Sequence, residues 1–168
     1  MTTLPPGVVT LDDHEAHART VLDTNAWAYF AGGAADEIAL AANRSAWNAM
    51  RLHPRVLRPL AGGHTRVSLL GRSPAHPLLL APGASQRMAH PDGELASAVA
   101  AAAQQAGFVL STQASQPLES IAEAVRDDPD RGPLWFNPPR PHARGLNRAL
   151  ARRAAGGLAR EDRGLDGQ

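Results

Sequence analysis

The 168-residue sequence contains no cysteine and no lysine. Without cysteine there is no disulfide frame, no thiolate nucleophile and no thiolate metal site. Without lysine there is no Schiff-base chemistry, and all 17 basic side chains are arginines. Aromatic residues make up only 4% of the chain, with a single tyrosine, Tyr29. Charge of one sign is also lacking: the formal net charge is +1, which argues against a dedicated nucleic-acid binder. Apolar runs are short and none could cross a bilayer. Residues 1–13 have neither the basic start nor the apolar core of a secretion signal. These absences lead us to expect a soluble, cytoplasmic protein that binds neither nucleic acid nor membrane. What is present is 43% hydrophobic residues, but much of that is alanine. Alanine buries little surface, so large core anchors are few and stability should be modest.

The punctuation of the chain suggests three early helices. One is expected over residues 13–22, with acidic residues at its start, and a second over 25–30, capped by Asp23 or Thr24. A third is expected over 35–50, where Ile38, Ala42, Ala46 and Met50 recur every four residues. Prolines make 53–60 extended or irregular, and 66–70 reads as a strand ended by Gly71. From Pro77 a rhythm sets in. Short apolar strands are predicted at 78–81, 108–110 and 134–136, and helices at 93–106, 117–125 and 144–154. The first of these helices would bury a stripe of Leu95, Val99 and Ala103, and the second Leu118, Ile121 and Val125. Strands apolar on both faces alternating with helices mean parallel βα units in an α/β fold. We therefore expect a flexible lead-in over 1–12, one domain over 13–157 and a disordered, polar tail over 158–168.

In parallel βα folds, chemistry gathers at the C-terminal ends of the strands. Those ends carry Ala81-Pro82-Gly83-Ala84, then Ser111-Thr112-Gln113-Ala114-Ser115, then Asn137-Pro138-Pro139. Small residues let a flat ring approach the backbone, and hydroxyl and amide groups can bond its polar edge. Five segments, in order, make this specific: Asn25-Ala26-Trp27-Ala28-Tyr29-Phe30-Ala31-Gly32-Gly33-Ala34-Ala35-Asp36-Glu37; Asn43-Arg44-Ser45-Ala46-Trp47; Pro54-Arg55-Val56-Leu57; Gln86-Arg87-Met88-Ala89-His90-Pro91-Asp92-Gly93-Glu94, together with the preceding Ala81-Pro82; and Leu110-Ser111-Thr112-Gln113-Ala114-Ser115. Together they resemble the N-terminal portion of the FMN-dependent 2-hydroxy-acid oxidases and dehydrogenases, over residues 23–136.

The resemblance implies a partial (β/α)8 TIM barrel: N-terminal helices followed by about three βα units. It implies FMN as cofactor and a small 2-hydroxy acid as substrate. Tyr29 would bond the substrate carboxylate. Pro82, Gly83 and Ala84 would run beside the flavin ring, Ser111 would bond its polar edge, and Asn137 stands where the family has a glutamine. Gly83 replaces a more usual threonine or valine. Pro139 replaces a tyrosine that assists substrate binding. The family's histidine base, substrate arginines, flavin-facing lysine and phosphate site have no counterpart among these residues. We therefore expect negligible turnover from the chain alone, and no catalytic residue is assigned within it. The family forms homo-oligomers, an assembly that does not carry over onto half a barrel. The competing class is a non-catalytic fragment acting at most as an interaction module. A weaker third class is an arginine-rich anion binder built on Arg148, Arg152 and Arg153.

Three other features have simpler readings. His14 and His17 are three apart, not the four a metalloprotease helix uses, and fit an exposed polar face. His90 is expected to be structural, at a helix entrance. Asp92 and Glu94 favour the start of the next helix through its dipole.

Overall fold

The computed structural model describes residues 5–138 and 152–153. The chain divides into two units, Met1–Ala61 and Gly62–Gln168. The expected tail, the first four residues, Pro139 and nearly all of the helix predicted over 144–154 lie outside the described residues.

The first unit carries three helices. α1 (Leu11–Val21) opens on a capping box: the Thr10 hydroxyl accepts the Asp13 amide at 3.2 Å, and the Asp13 carboxylate accepts the Thr10 amide at 2.7 Å. This exchange, led by the Thr10 backbone hydrogen bond, holds the Asp13 carboxyl below its ordinary value. α2 (Thr24–Ala31) is capped by Asp23, which accepts the amides of Asn25 at 2.8 Å and Ala26 at 2.9 Å. α3 (Ile38–Ala49) starts after Glu37, whose carboxylate accepts the Gly33 amide at 2.9 Å. Arg44 of α3 pairs with Asp12 of α1. Local signals therefore set these helices within a few residues of expectation. Burial is another matter. Ala26 is the one buried residue among those described in this unit, and the expected stripe of Ile38, Ala42, Ala46 and Met50 is exposed throughout.

The second unit holds the sheet. The strand expected at 66–70 is instead a turn. Leu69 and Arg72 exchange backbone hydrogen bonds of 2.8 and 3.0 Å across Leu70 and Gly71. Both central residues have positive φ, 51° and 77°, as a type I′ turn requires. The apolar residues there were legible, but the turn consumed the backbone bonds a strand needs.

Three parallel strands follow, β1 (Leu79–Leu80), β2 (Gly107–Ser111) and β3 (Leu134–Asn137), in the order β1-β2-β3. α4 (Gly93–Ala103) links the first two and α5 (Leu118–Ala124) the last two. Phe108, Leu110 and Leu134 meet Leu118, Ile121 and Val125 of the α5 segment, with Ala98, Ala101 and Ala102 of α4, in one core. The α5 stripe is the expected one. On α4 the stripe is displaced: Val99 is 48% exposed and Ala103 is exposed, while the neighbouring alanines are buried. Small side chains let α4 lie close against β2, so the alanine face packs and the bulkier valine is left outside.

Glycines set two close approaches. A Cβ on Gly132 would stand 2.3 Å from the backbone carbonyl of Ala106, and one on Gly107 2.7 Å from the Leu79 side chain. The first is a backbone approach that no larger residue permits, whereas the second would require the Leu79 side chain to move.

Candidate functional site

Register decides which side chains share a face. Val109 pairs with Trp135, Leu110 with Phe136, and Ser111 with Asn137. Phe108, Leu110 and Leu134 belong to the helix-covered core, and Phe136 packs against it. Alternation then places Val109, Ser111, Trp135 and Asn137 on the opposite face. Ser111 and Asn137 are thus neighbours at the C-terminal ends of adjacent strands, Ser111 partly buried and Asn137 exposed. The Ser111 hydroxyl accepts the Gln113 amide at 3.1 Å, which leaves its own proton to donate. β3 ends at Asn137, immediately before Pro138, whose ring nitrogen cannot donate to a ladder.

The segment after β1 lies against the segment after β2. The Ser85 amide donates to the Gln113 carbonyl at 3.1 Å, and the Arg87 amide to the Ser115 hydroxyl at 3.1 Å. Ser85 itself adopts a left-handed φ of 55°, a conformation that costs a non-glycine residue about 1 kcal/mol and is kept only where surrounding bonds impose it. Gln86 donates to the Gly83 carbonyl at 3.4 Å and accepts the Ser97 hydroxyl at 2.6 Å. Among the described residues the Gly83 and Ala84 amides have no partner. Two adjacent N–H groups next to a strand-end hydroxyl can receive an electronegative ring edge. The structure therefore brings Pro82, Gly83, Ala84, Ser111 and Asn137 to the same ends of one three-stranded sheet.

Tyr29 belongs to α2 in the first unit. Its ring meets Phe30 edge-on, with centroids 5.1 Å apart, and it is 51% exposed. His90 is exposed and accepts the Asp92 amide on Nδ1 at 3.2 Å, which fits its expected place at a helix entrance. Asp92 precedes α4 without a side-chain cap.

Sequence reasoning missed the burial of one residue. Glu94 stands in the first turn of α4, as expected, but it is fully buried. Its Oε1 accepts the amides of Gln86 at 3.0 Å and Ser115 at 2.9 Å, and its Oε2 accepts the Ser115 hydroxyl at 2.6 Å. Burial alone pushes this carboxyl up; the hydrogen bonds from Ser115 and Gln86 outweigh it and hold the carboxyl below its ordinary value. The signal was a lone acid opening an alanine-rich apolar run, a pattern that a helix start also explains.

A cleft of about 360 Å³ in this unit is lined by Leu110, Ser111, Thr112, Ser115, Phe136 and Arg153 among others, with Arg153 held by Glu119 at 3.0 Å. Ser111, at the end of β2, thus belongs both to the strand-end wall and to this cleft.

The profile of the FMN-dependent dehydrogenase family matches residues 18–158. The chain is 44% identical over 146 residues to the L-lactate oxidase of Alicycliphilus denitrificans, covering 86% of this chain and 40% of that protein. It is 39% identical over 119 residues to human 2-hydroxyacid oxidase 1, covering 71% of this chain and 32% of that protein. Among solved structures it superposes on mandelate oxidase bound to 3,3-difluoro-2-hydroxy-3-phenylpropionic acid with a TM-score of 0.80 at 36% identity, over 88% of this chain and 43% of that one. A mandelate oxidase mutant carrying a C4a-OH-FMN adduct matches with a TM-score of 0.78. The chain thus spans about two fifths of the length of that lactate oxidase and of that mandelate oxidase. The match bears out the α/β class, with parallel βα units of a partial (β/α)8 barrel. On sequence and fold together, this chain is a member of the FMN-dependent dehydrogenase family.

Proposed function

We propose that this chain supplies the flavin-ring wall of an FMN-dependent 2-hydroxy-acid oxidase, which converts a small 2-hydroxy acid to the 2-oxo acid. The observation that carries this reading is the grouping of Ser111 and Asn137 on one sheet face beside a loop with two unpartnered amides. That donor set suits a flavin, whose polar edge and reactive nitrogen are acceptors. A mandelate oxidase relative holding an FMN adduct supports it.

FMN, when bound, would supply the two-electron acceptor chemistry for the substrate's α-hydrogen. The residues of this chain bind and orient. Ser111 donates its hydroxyl proton to the ring's polar edge, and Asn137 offers an amide beside it. Pro82, Gly83 and Ala84 run along the ring, and Gly83 and Ala84 present their backbone N–H groups to it. Tyr29 donates its phenol to the substrate carboxylate. The family's histidine base, arginines, lysine and phosphate site have no counterpart in these residues, and the reconstitution below supplies them.

Reconstitution tests both parts. The chain is mixed with FMN and with the C-terminal portion of the Alicycliphilus L-lactate oxidase, supplied as a separate polypeptide. The expected result is a yellow complex bleached anaerobically by lactate, glycolate or mandelate, while the chain alone gives no turnover. Ser111→Ala in that complex should slow bleaching about tenfold, the loss of one hydrogen bond to the ring. A yellow complex that none of the three acids bleaches overturns the proposal.

A further inference from the structure

Glu94 is the only buried charged side chain among the described residues, and the reaction outlined above gives it no part. Its partners lie on two different loops. Gln86 belongs to the segment after β1, which holds Gly83 and Ala84; Ser115 belongs to the segment after β2, which holds Ser111. One carboxylate therefore bridges the two halves of the proposed flavin wall. Each half is tied onward. The Ser115 hydroxyl that donates to Glu94 also accepts the Arg87 amide. Gln86, whose amide Glu94 receives, reaches back to the Gly83 carbonyl. Gly93 makes the approach possible. It has a positive φ of 46°, and a Cβ there would stand 2.7 Å from Arg87 Cγ and 3.4 Å from Ser115 Oγ.

We propose that Glu94 is a positioning residue, which locks the loop after β1 to the loop after β2 and thereby sets the spacing of the flavin-facing groups. This rests on the flavin reading for its purpose, but the lock itself does not. A carboxylate suits the task because its two oxygens accept three donors from two loops, with no proton to place. Glutamine can do nearly the same. Its oxygen can accept both amides, and its NH2 can donate to Ser115 Oγ once that hydroxyl turns. Leucine, of similar size, can do neither.

Backbone amide exchange on the full chain, without flavin, tests the lock. In Glu94→Leu the amides of Gln86 and Ser115 lose their acceptor directly. If Glu94 couples the loops, Ser85 and Arg87, which do not touch it, also exchange at least about tenfold faster, and Glu94→Gln restores most of their protection. Loss confined to Gln86 and Ser115 overturns the proposal. Should Glu94→Leu fail to fold, Ser115→Ala at an exposed position removes the hydroxyl's bond to Glu94 and, with it, the acceptor of the Arg87 amide, so that Ser85, bonded to neither side chain, is the reporter. Faster exchange at Ser85 then supports the lock, and unchanged exchange at Ser85 overturns it. FMN titration of the complex reconstituted with the C-terminal portion, followed by quenching of flavin fluorescence, tests the purpose. Affinity about tenfold weaker in Glu94→Leu supports it, and equal affinity overturns it. A wild-type complex that binds no FMN rejects the flavin reading instead, and the exchange pattern tells that failure from a failure of Glu94.

Discussion

A carboxylate taken out of water is stable only where hydrogen bonds replace its hydration. Glu94 has three from its partners, and its carboxyl lies below the ordinary value of 4.5. The sign of the linkage follows. The depressed folded-state value means that the stabilisation is fully present above the unfolded-state value, near 4.5. It is lost as pH falls through the folded-state value. Urea midpoints measured from pH 7 down to pH 3 should therefore fall steeply in the acid range, and Glu94→Gln should flatten that fall. Equal acid sensitivity in both proteins would show that other carboxylates carry it. Gly132 presents a steric case. The atoms its missing Cβ would strike belong to the Ala106 and Gly107 backbone, and backbone inside a sheet connection cannot swing aside as a side-chain tip can. Gly132→Ala should cost about 3 kcal/mol, read as a lower melting temperature. Gly83→Ala, which meets only the end of Gln86 at 3.3 Å, should cost far less.

At the scale of elements, α4 shows how residue size can override periodicity. Its sequence is nearly all small, so hydrophobic spacing alone leaves the buried stripe undecided by one position. The face that packs is the one that lets helix and strand come closest: Ala98, Ala101 and Ala102 are buried at 2, 3 and 8% exposure. Ala98→Val should accordingly destabilise the protein by about 2 kcal/mol through overpacking. Val99→Ser should change stability by less than about 0.5 kcal/mol. A thermal melt of the two variants side by side checks the pair, and the reverse order would return the stripe to Val99. α5 had no such ambiguity, because Leu118, Ile121 and Val125 are large and flanked by polar residues. The 66–70 segment shows a different conflict. Two positive-φ residues, Leu70 and Gly71, close a turn there, and its local hydrogen bonds displaced the extended pairing its apolar residues suggested.

For the molecule as a whole, burial is uneven. The core cluster lies within the second unit, whereas the described part of the first unit buries only Ala26. Helices without a buried face depend on propensity and caps, which seldom suffice at this length. Residues 62–168 expressed alone should therefore retain a cooperative thermal transition. Residues 1–61 alone should show a broad, non-cooperative loss of helical circular dichroism. A sharp transition in the shorter piece would contradict this account of where stability resides. Much of this architecture was legible in advance. Caps such as Thr10 and Asp23, the strand–helix rhythm after Pro77, and the small and hydroxyl residues at the strand ends are local or periodic features. Propensity and side-chain chemistry within a few residues suffice to determine them. The strand pairing that sets Ser111 beside Asn137, the close fit of the alanine face of α4, and the descent of Glu94 between two loops were decided only by the tertiary structure. Each depends on groups of different elements meeting at van der Waals or hydrogen-bond distance, and no local pattern records which of them will meet.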